Sequence, residues 1–210
     1  MDKYIDKIIY INLDKRIDRR IEIEDELNKY GLTNYERFPA IEANFGLVGC
    51  GKSHLEVLKM AKKNNYKNVL ILEDDFEFMI TKEEFEAYIE EFFSFKMHYD
   101  VLMLNYNLQE YEVVKNNYLI GKVKYSLSAA GYLVNNHYYD KLIEIIEYNI
   151  PLLEKTSAHW LYSNDVVWRE LQIKDDWYYF INKVGRQRTS FSNCCDCLMN
   201  TQNEELTFVK

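Results

Sequence analysis

Proline is nearly missing from this chain, with two in 210 residues, so no Pro-rich linker divides it. No repeat or low-complexity stretch divides it either. No apolar run is long enough to cross a bilayer. The opening residues Met1-Asp2-Lys3-Tyr4 lack the apolar stretch of a secretory signal. Positive charge is in deficit: a formal net charge of −8 argues against generic nucleic-acid binding. Cysteine is sparse as well. Cys50 stands alone, and Cys194, Cys195 and Cys197 crowd together with no His nearby, a poor match to the spaced ligands of structural zinc. These absences predict a cytoplasmic protein with reduced thiols and no transmembrane segment, folded as a single domain over 1–210.

What is present is a run of four aliphatics ending in three acids, Val69-Leu70-Ile71-Leu72-Glu73-Asp74-Asp75. The aliphatic part predicts a strand buried on both faces, as in a parallel α/β sheet. Three adjacent carboxylates at its end repel one another. A hard divalent cation, Mg²⁺ or Mn²⁺, would relieve that repulsion. Ligands of α/β folds bind at the same carboxyl edge. The plainer alternative is an N-cap and a solvated loop.

Along the rest of the chain, 7–13, 35–38, 101–104, 126–134 and 177–182 predict strands, and 17–30, 52–64, 82–95, 137–148 and 165–171 predict helices. Ile17, Ile21, Ile23 and Leu27 would form the apolar face of the first helix, Gly31 would stop it, and Thr81 with Glu84 reads as a capping box. Strands alternating with helices predict an α/β fold with a mostly parallel central sheet flanked by helices. Residues 40–48 read as a loop, and 105–124 is polar without a motif.

Gly46-Leu47-Val48-Gly49-Cys50-Gly51-Lys52-Ser53 matches the P-loop pattern. A P-loop must follow directly from a buried strand, whereas Ile41-Glu42-Ala43-Asn44-Phe45 makes a poor one. A P-loop nucleotide-binding protein is therefore the alternative reading.

Asn12-Leu13-Asp14-Lys15-Arg16-Ile17-Asp18-Arg19-Arg20 lies where the first strand turns into the first helix, a place where backbone amides and arginines can hold phosphate. A solvated charged helix is the bland account of the same residues. This segment, followed by Arg37-Phe38-Pro39-Ala40, Gly49-Cys50 with Ser53-His54, and Leu72-Glu73-Asp74-Asp75, resembles glycosyltransferase family 25. Tyr99 to Leu102, Ala130 to Val134, Asn164-Asp165, and Gln187 with Ser190 and Ser192 look like weaker landmarks of that family.

The resemblance implies a GT-A type fold and inverting transfer of a hexose from UDP-galactose or UDP-glucose to a glycan or glycoprotein acceptor, with Mn²⁺ or Mg²⁺ as cofactor. If the strand conformation persists, Glu73 and Asp75 share one face, with Asp75 the candidate metal ligand and Glu73 or Asp74 assisting, and Asp74 faces the ribose or orients its neighbours. Asn12, Leu13, Arg16, Arg19, Ser53 and His54 fall around the nucleotide, with Arg188 or Arg186 closing over the diphosphate. Asp165 is the candidate general base, or else a helix N-cap. His159 and Trp160 could be an acceptor pair. A chain that keeps the fold but binds without transferring is the remaining alternative.

Overall fold

The computed structural model describes residues 1–192 and 197–199. In chain order the first half comprises β1 (Lys7–Asn12), α1 (Ile17–Lys29), β2 (Tyr35–Pro39), α2 (Gly46–Lys63), β3 (Asn68–Glu73), β4 (Phe76–Phe78) and α3 (Lys82–Ser94). Then follow β5 (Val101–Met103), β6 (Asn107–Val113), β7 (Ile120–Leu127), β8 (Gly131–Asn135) and α4 (Tyr139–Thr156). Three short helices come next, α5 (His159–Tyr162), α6 (Asn164–Val167) and α7 (Arg169–Lys174). The strands β9 (Trp177–Phe180), β10 (Gly185–Gln187), β11 (Ser190–Ser192) and β12 (Cys197–Met199) complete the described chain.

Eight strands form one sheet in the order β2-β1-β3-β8-β5-β9-β7-β6. Side chains alternate across it. Ile9, Ile11, Val69 and Ile71 face α2 and α4, where they meet Val57, Leu58, Leu142 and Ile146. Ile8, Tyr10, Leu70 and Leu72 face α1 and α3, where they meet Ile23, Leu27, Phe85 and Ile89. Both faces are therefore buried, which is why β1 and β3 read as unbroken apolar runs.

The α/β class with flanking helices is as the sequence predicts, but the sheet is mixed rather than mostly parallel. β2, β1 and β3 run parallel, as do β5 and β9. β8 is antiparallel to both β3 and β5, and β7 and β6 continue antiparallel at the far edge. The polar stretch 105–124 supplies a hairpin, β6 and β7, whose short connection forces antiparallel pairing. The predicted strand 126–134 breaks in two at Ser128, whose φ of 81° no regular strand accommodates.

Helix α2 begins at Gly46, six residues earlier than expected, and takes in the whole P-loop-like octad. Its glycines serve packing instead. A Cβ on Gly49 would sit 2.4 Å from the carbonyl oxygen of Ile41, and Gly51 faces Ile150 of α4. Lys52 pairs with Glu154 at 3.1 Å. A phosphate-wrapping loop is absent from this segment, so the P-loop alternative falls. In α1, Ile17 and Ile21 are exposed while Arg19, Ile23, Glu26 and Leu27 turn inward. Helix α4 runs on to Thr156 through Pro151, which costs it one backbone bond, and ends at Ser157 in the left-handed region.

Candidate active site

A cavity of about 620 Å³ opens at the carboxyl ends of β1 and β3, within the size range of small-molecule sites. One wall carries Leu13, Arg16, Arg19 and the 40–43 segment. The lining also includes Cys50, His54 and Glu73 to Asp75, and Ser128, Trp160, Asn164 and Asp165.

The acidic turn is held from below by two elements. Asn12, at the end of β1, donates to Asp74 Oδ2 at 2.7 Å and accepts from Arg37 Nε at 3.0 Å. Arg19, on the inward face of α1, reaches Asp74 Oδ1 at 2.8 Å and Asp75 Oδ2 at 3.2 Å. Asp74 is thus an anchor of the turn, tied to Asn12 and Arg19. Burial raises its carboxyl above the ordinary range, against the pull of Arg19 and Asn12.

Glu73 faces His54 Nε2 at 3.1 Å and Cys50 Sγ at 3.5 Å. His54 is fully buried, and its Nδ1 lies 2.8 Å from the Tyr132 hydroxyl. Burial keeps that phenol protonated. A phenol donating to Nδ1 leaves Nε2–H to donate to Glu73. Burial raises the Glu73 carboxyl, but the His54 contact outweighs it and the net direction is downward. Asp75 goes the other way, pushed up to about 7 first by burial and then by the negative charge of Glu73. Gln187 Nε2 sits between the two, 3.3 Å from Glu73 Oε2 and 3.4 Å from Asp75 Oδ1.

The hydroxyl of Ser53 is turned to the backbone, accepting from Ile41 N–H at 2.8 Å and donating to Gly49 O at 2.7 Å. It shapes the cavity wall through the 40–43 segment. Arg16 lines the cavity and pairs with Asp18 at 2.7 Å. Arg188, expected over a diphosphate, instead sends its guanidinium to Glu22, Glu26 and Glu77. Its backbone N–H holds the Asp75 carbonyl at 2.7 Å. Arg186 pairs with Glu77.

Asp165, also in the cavity lining, lies in the first turn of α6 rather than at its N-cap, which is Ser163. One carboxylate oxygen accepts from Ser128 N–H at 3.0 Å, and the other from the Ser163 hydroxyl at 3.2 Å. Asp165 thereby pins the left-handed Ser128, whose hydroxyl also accepts from Asn105 at 2.8 Å.

The family model described as glycosyltransferase family 25 (LPS biosynthesis protein) matches residues 44–157, more than half of the chain. The chain belongs to glycosyltransferase family 25. The matched stretch holds the Gly49-Cys50 and Ser53-His54 motif and the acidic turn, while β1, Asp165 and Gln187 lie outside it. No curated protein matches the chain. Among solved structures, the protein A197 from STIV is 17% identical, with 97% of each chain covered and a TM-score of 0.49. A glycosyltransferase involved in glycosylation of the major capsid of PBCV-1 is 10% identical over 84% of this chain and 93% of that one, with a TM-score of 0.41. Mouse xyloside xylosyltransferase 1 is 11% identical over 81% of this chain and 70% of that one, with a TM-score of 0.41.

Three further residues of this family 25 chain, Cys50, Tyr132 and Asn164, stand at the site. Cys50 contacts Glu73 and Tyr132 contacts His54, and in the sequence both stand only within motifs. Asn164 lines the cavity, yet both of its amide atoms are buried without a hydrogen-bond partner, as is Trp168 Nε1 one helical turn on. An unpaired buried amide is uncommon in folded proteins, and sequence offers no signal for it. Cys194 and Cys195 lie outside the described residues. Among those described, no helix is long and apolar enough to cross a membrane.

Proposed function

We propose that this protein transfers a hexose, galactose or glucose, from a UDP-sugar to a glycan or protein-linked acceptor, with inversion and with help from Mn²⁺ or Mg²⁺. The observation that carries this reading is one cavity at the carboxyl edge of the sheet whose lining holds Glu73 and Asp75 together with Asp165, which is hydrogen-bonded apart from them to Ser128 and Ser163.

The donor set fits a hard divalent cation. Glu73 and Asp75 each turn one oxygen toward the same point, marked by the Gln187 amide, and Asp75 has a raised pKa that a cation there would lower. Glu73 and Asp75 would hold the ion, which would supply Lewis-acid stabilisation to the departing diphosphate. Arg19 and Asn12 keep the turn rigid beneath it. Leu13 and Arg16 form the nucleotide side, and Ser53 and His54 set that wall from behind. Asp165 takes the proton of the acceptor hydroxyl as its oxygen attacks the anomeric carbon and the bond to UDP breaks. Its tie to Ser128 keeps one carboxylate oxygen oriented.

The test is thermal stabilisation by UDP, UDP-galactose, UDP-glucose and ATP, each with and without Mn²⁺. A Mn²⁺-dependent rise with uridine ligands supports the proposal, and a rise with ATP alone refutes it. Asp75→Ala then separates an enzyme from a binder: turnover is lost with the fold intact, whereas a metal-independent binding module is unaffected.

A further inference from the structure

The sheet edge opposite the cavity gathers a second set of ligand-type side chains. Asp100 immediately precedes β5, Asp176 precedes β9, and His137 follows β8. Because β5 and β9 are parallel and β8 is antiparallel to β5, these three positions share one edge. His98 joins them from the segment after α3. His137 Nε2 lies 2.7 Å from Asp100 Oδ1, and His98 Nδ1 lies 3.1 Å from Asp176 Oδ2. The two imidazole rings are 4.7 Å apart, and one ligand atom from each of His98, Asp100 and His137 lies within 4.8 Å of the others.

Two features make this more than a surface cluster. Asp100 is buried, and its second oxygen accepts from the Asp176 N–H at 2.7 Å, so the carboxylate is fixed in place. His137 Nδ1 lies 2.6 Å from Asn135 Oδ1, so an Nδ1–H donated there leaves the Nε2 lone pair aimed at Asp100 Oδ1. Two lone-pair atoms at that separation need a proton between them, and a cation ligated by both would take the proton's place after a small opening of the pair. A histidine whose outer nitrogen is oriented by an oxygen partner is the usual arrangement around bound metal. The charged groups facing the cluster are Asp100, Asp176 and Lys122, the last pairing with Asp176 at 2.7 Å. With neutral imidazoles the neighbourhood is net negative.

We propose that His98, Asp100 and His137 bind a borderline divalent ion, Zn²⁺ or a close analogue, at a site separate from the cavity. Two imidazoles and one carboxylate suit Zn²⁺ better than Mg²⁺ or Ca²⁺, which prefer oxygen alone. The exposed His98 ring supplies the small movement that closes the set. Bound there, the ion staples the segment entering β5 to the turn between β8 and α4.

The chain has four histidines, so imidazole C–H resonances can be followed individually during a Zn²⁺ titration of the full chain with its thiols alkylated. His98 and His137 should shift together and saturate at one equivalent, and the melting temperature should rise. In His137→Gln the His98 response should weaken at least about tenfold. The exposed position of His98 makes His98→Gln the safer variant for folding, with His137 as its reporter. The proposal is overturned if neither resonance responds, or if either one responds unchanged when its partner is replaced.

Discussion

Arg19 offers the sharpest test of how the acidic turn is held. Its guanidinium bonds Asp74 and Asp75, and the three side chains are only about one-tenth exposed. Arg19→Met keeps the apolar stem and removes the charge, leaving two buried carboxylates beside Glu73. Removing one partner of a buried pair costs about 3–5 kcal/mol. In a chain of this length each kcal/mol moves the melting temperature by about 2–4 °C, so a fall of roughly 6–20 °C is expected. The sign of the pH dependence follows from the raised carboxyls. A folded pKa above the unfolded one favours the fold at low pH, and that advantage is lost as pH rises from the unfolded value through the folded one. Without Arg19 the folded values of Asp74 and Asp75 rise further, so the deficit should be larger at pH 8 than at pH 5. Urea unfolding in EDTA at both pH values measures it, and the Arg19→Met/Asp74→Asn pair should cost less than the sum of the singles. A deficit below about 1 kcal/mol, or one equal at the two pH values, would refute the reasoning.

Three other outcomes are expected. Mn²⁺ affinity should fall about tenfold per pH unit below 7, because Asp75, held near 7, must release a proton to bind the ion; Mn²⁺ EPR reads this, and Asp75→Asn should flatten the profile. Asn164→Leu should stabilise the ligand-free protein by about 1–3 kcal/mol, since it removes a buried amide without partners; denaturant titration checks the sign. Thr81→Ala breaks the capping box of α3, in which Thr81 Oγ1 accepts from Glu84 N–H at 3.2 Å, and should lower stability by about 1 kcal/mol, visible by calorimetry.

The elements with the strongest local signals are legible in the sequence: β1 and β3 as buried runs, the α3 capping box, and the acidic turn at the carboxyl edge of the sheet, where it lines the cavity. What stayed hidden depends on contacts distant in sequence. The inward stripe of α1 carries Arg19 and Glu26 among its apolar residues, one for the acidic turn and one for the Phe78 N–H. Charges at inward positions break the apolar period, so the sequence favours Ile17 and Ile21 for the apolar face although both are exposed. The octad at 46–53 satisfies a loop pattern as a string, but its glycines answer to Ile41 and Ile150. The partners of Arg188, namely Glu22, Glu26 and Glu77, all lie more than a hundred residues from it in the chain, so local sequence gives no sign of them. The polar hairpin of β6 and β7 lacks the alternation that would mark it, its outer strand being mostly exposed.

Phe76 fills the space left by two glycines that lie far apart in the chain: a Cβ on Gly131 or Gly185 would come within 2.6 or 2.1 Å of its ring. Through this wedge and the pairing of β4 with β10, Gln187 reaches Glu73 and Asp75 from more than a hundred residues downstream. During synthesis, then, the acidic turn emerges long before the strand that completes it. Contacts of such long sequence separation form late, after the entropy of closing the intervening chain has been met. A nascent chain that stops short of β10 can have its sheet paired and still lack a finished site, so competence for ligand should arrive abruptly, when residues 185–188 dock.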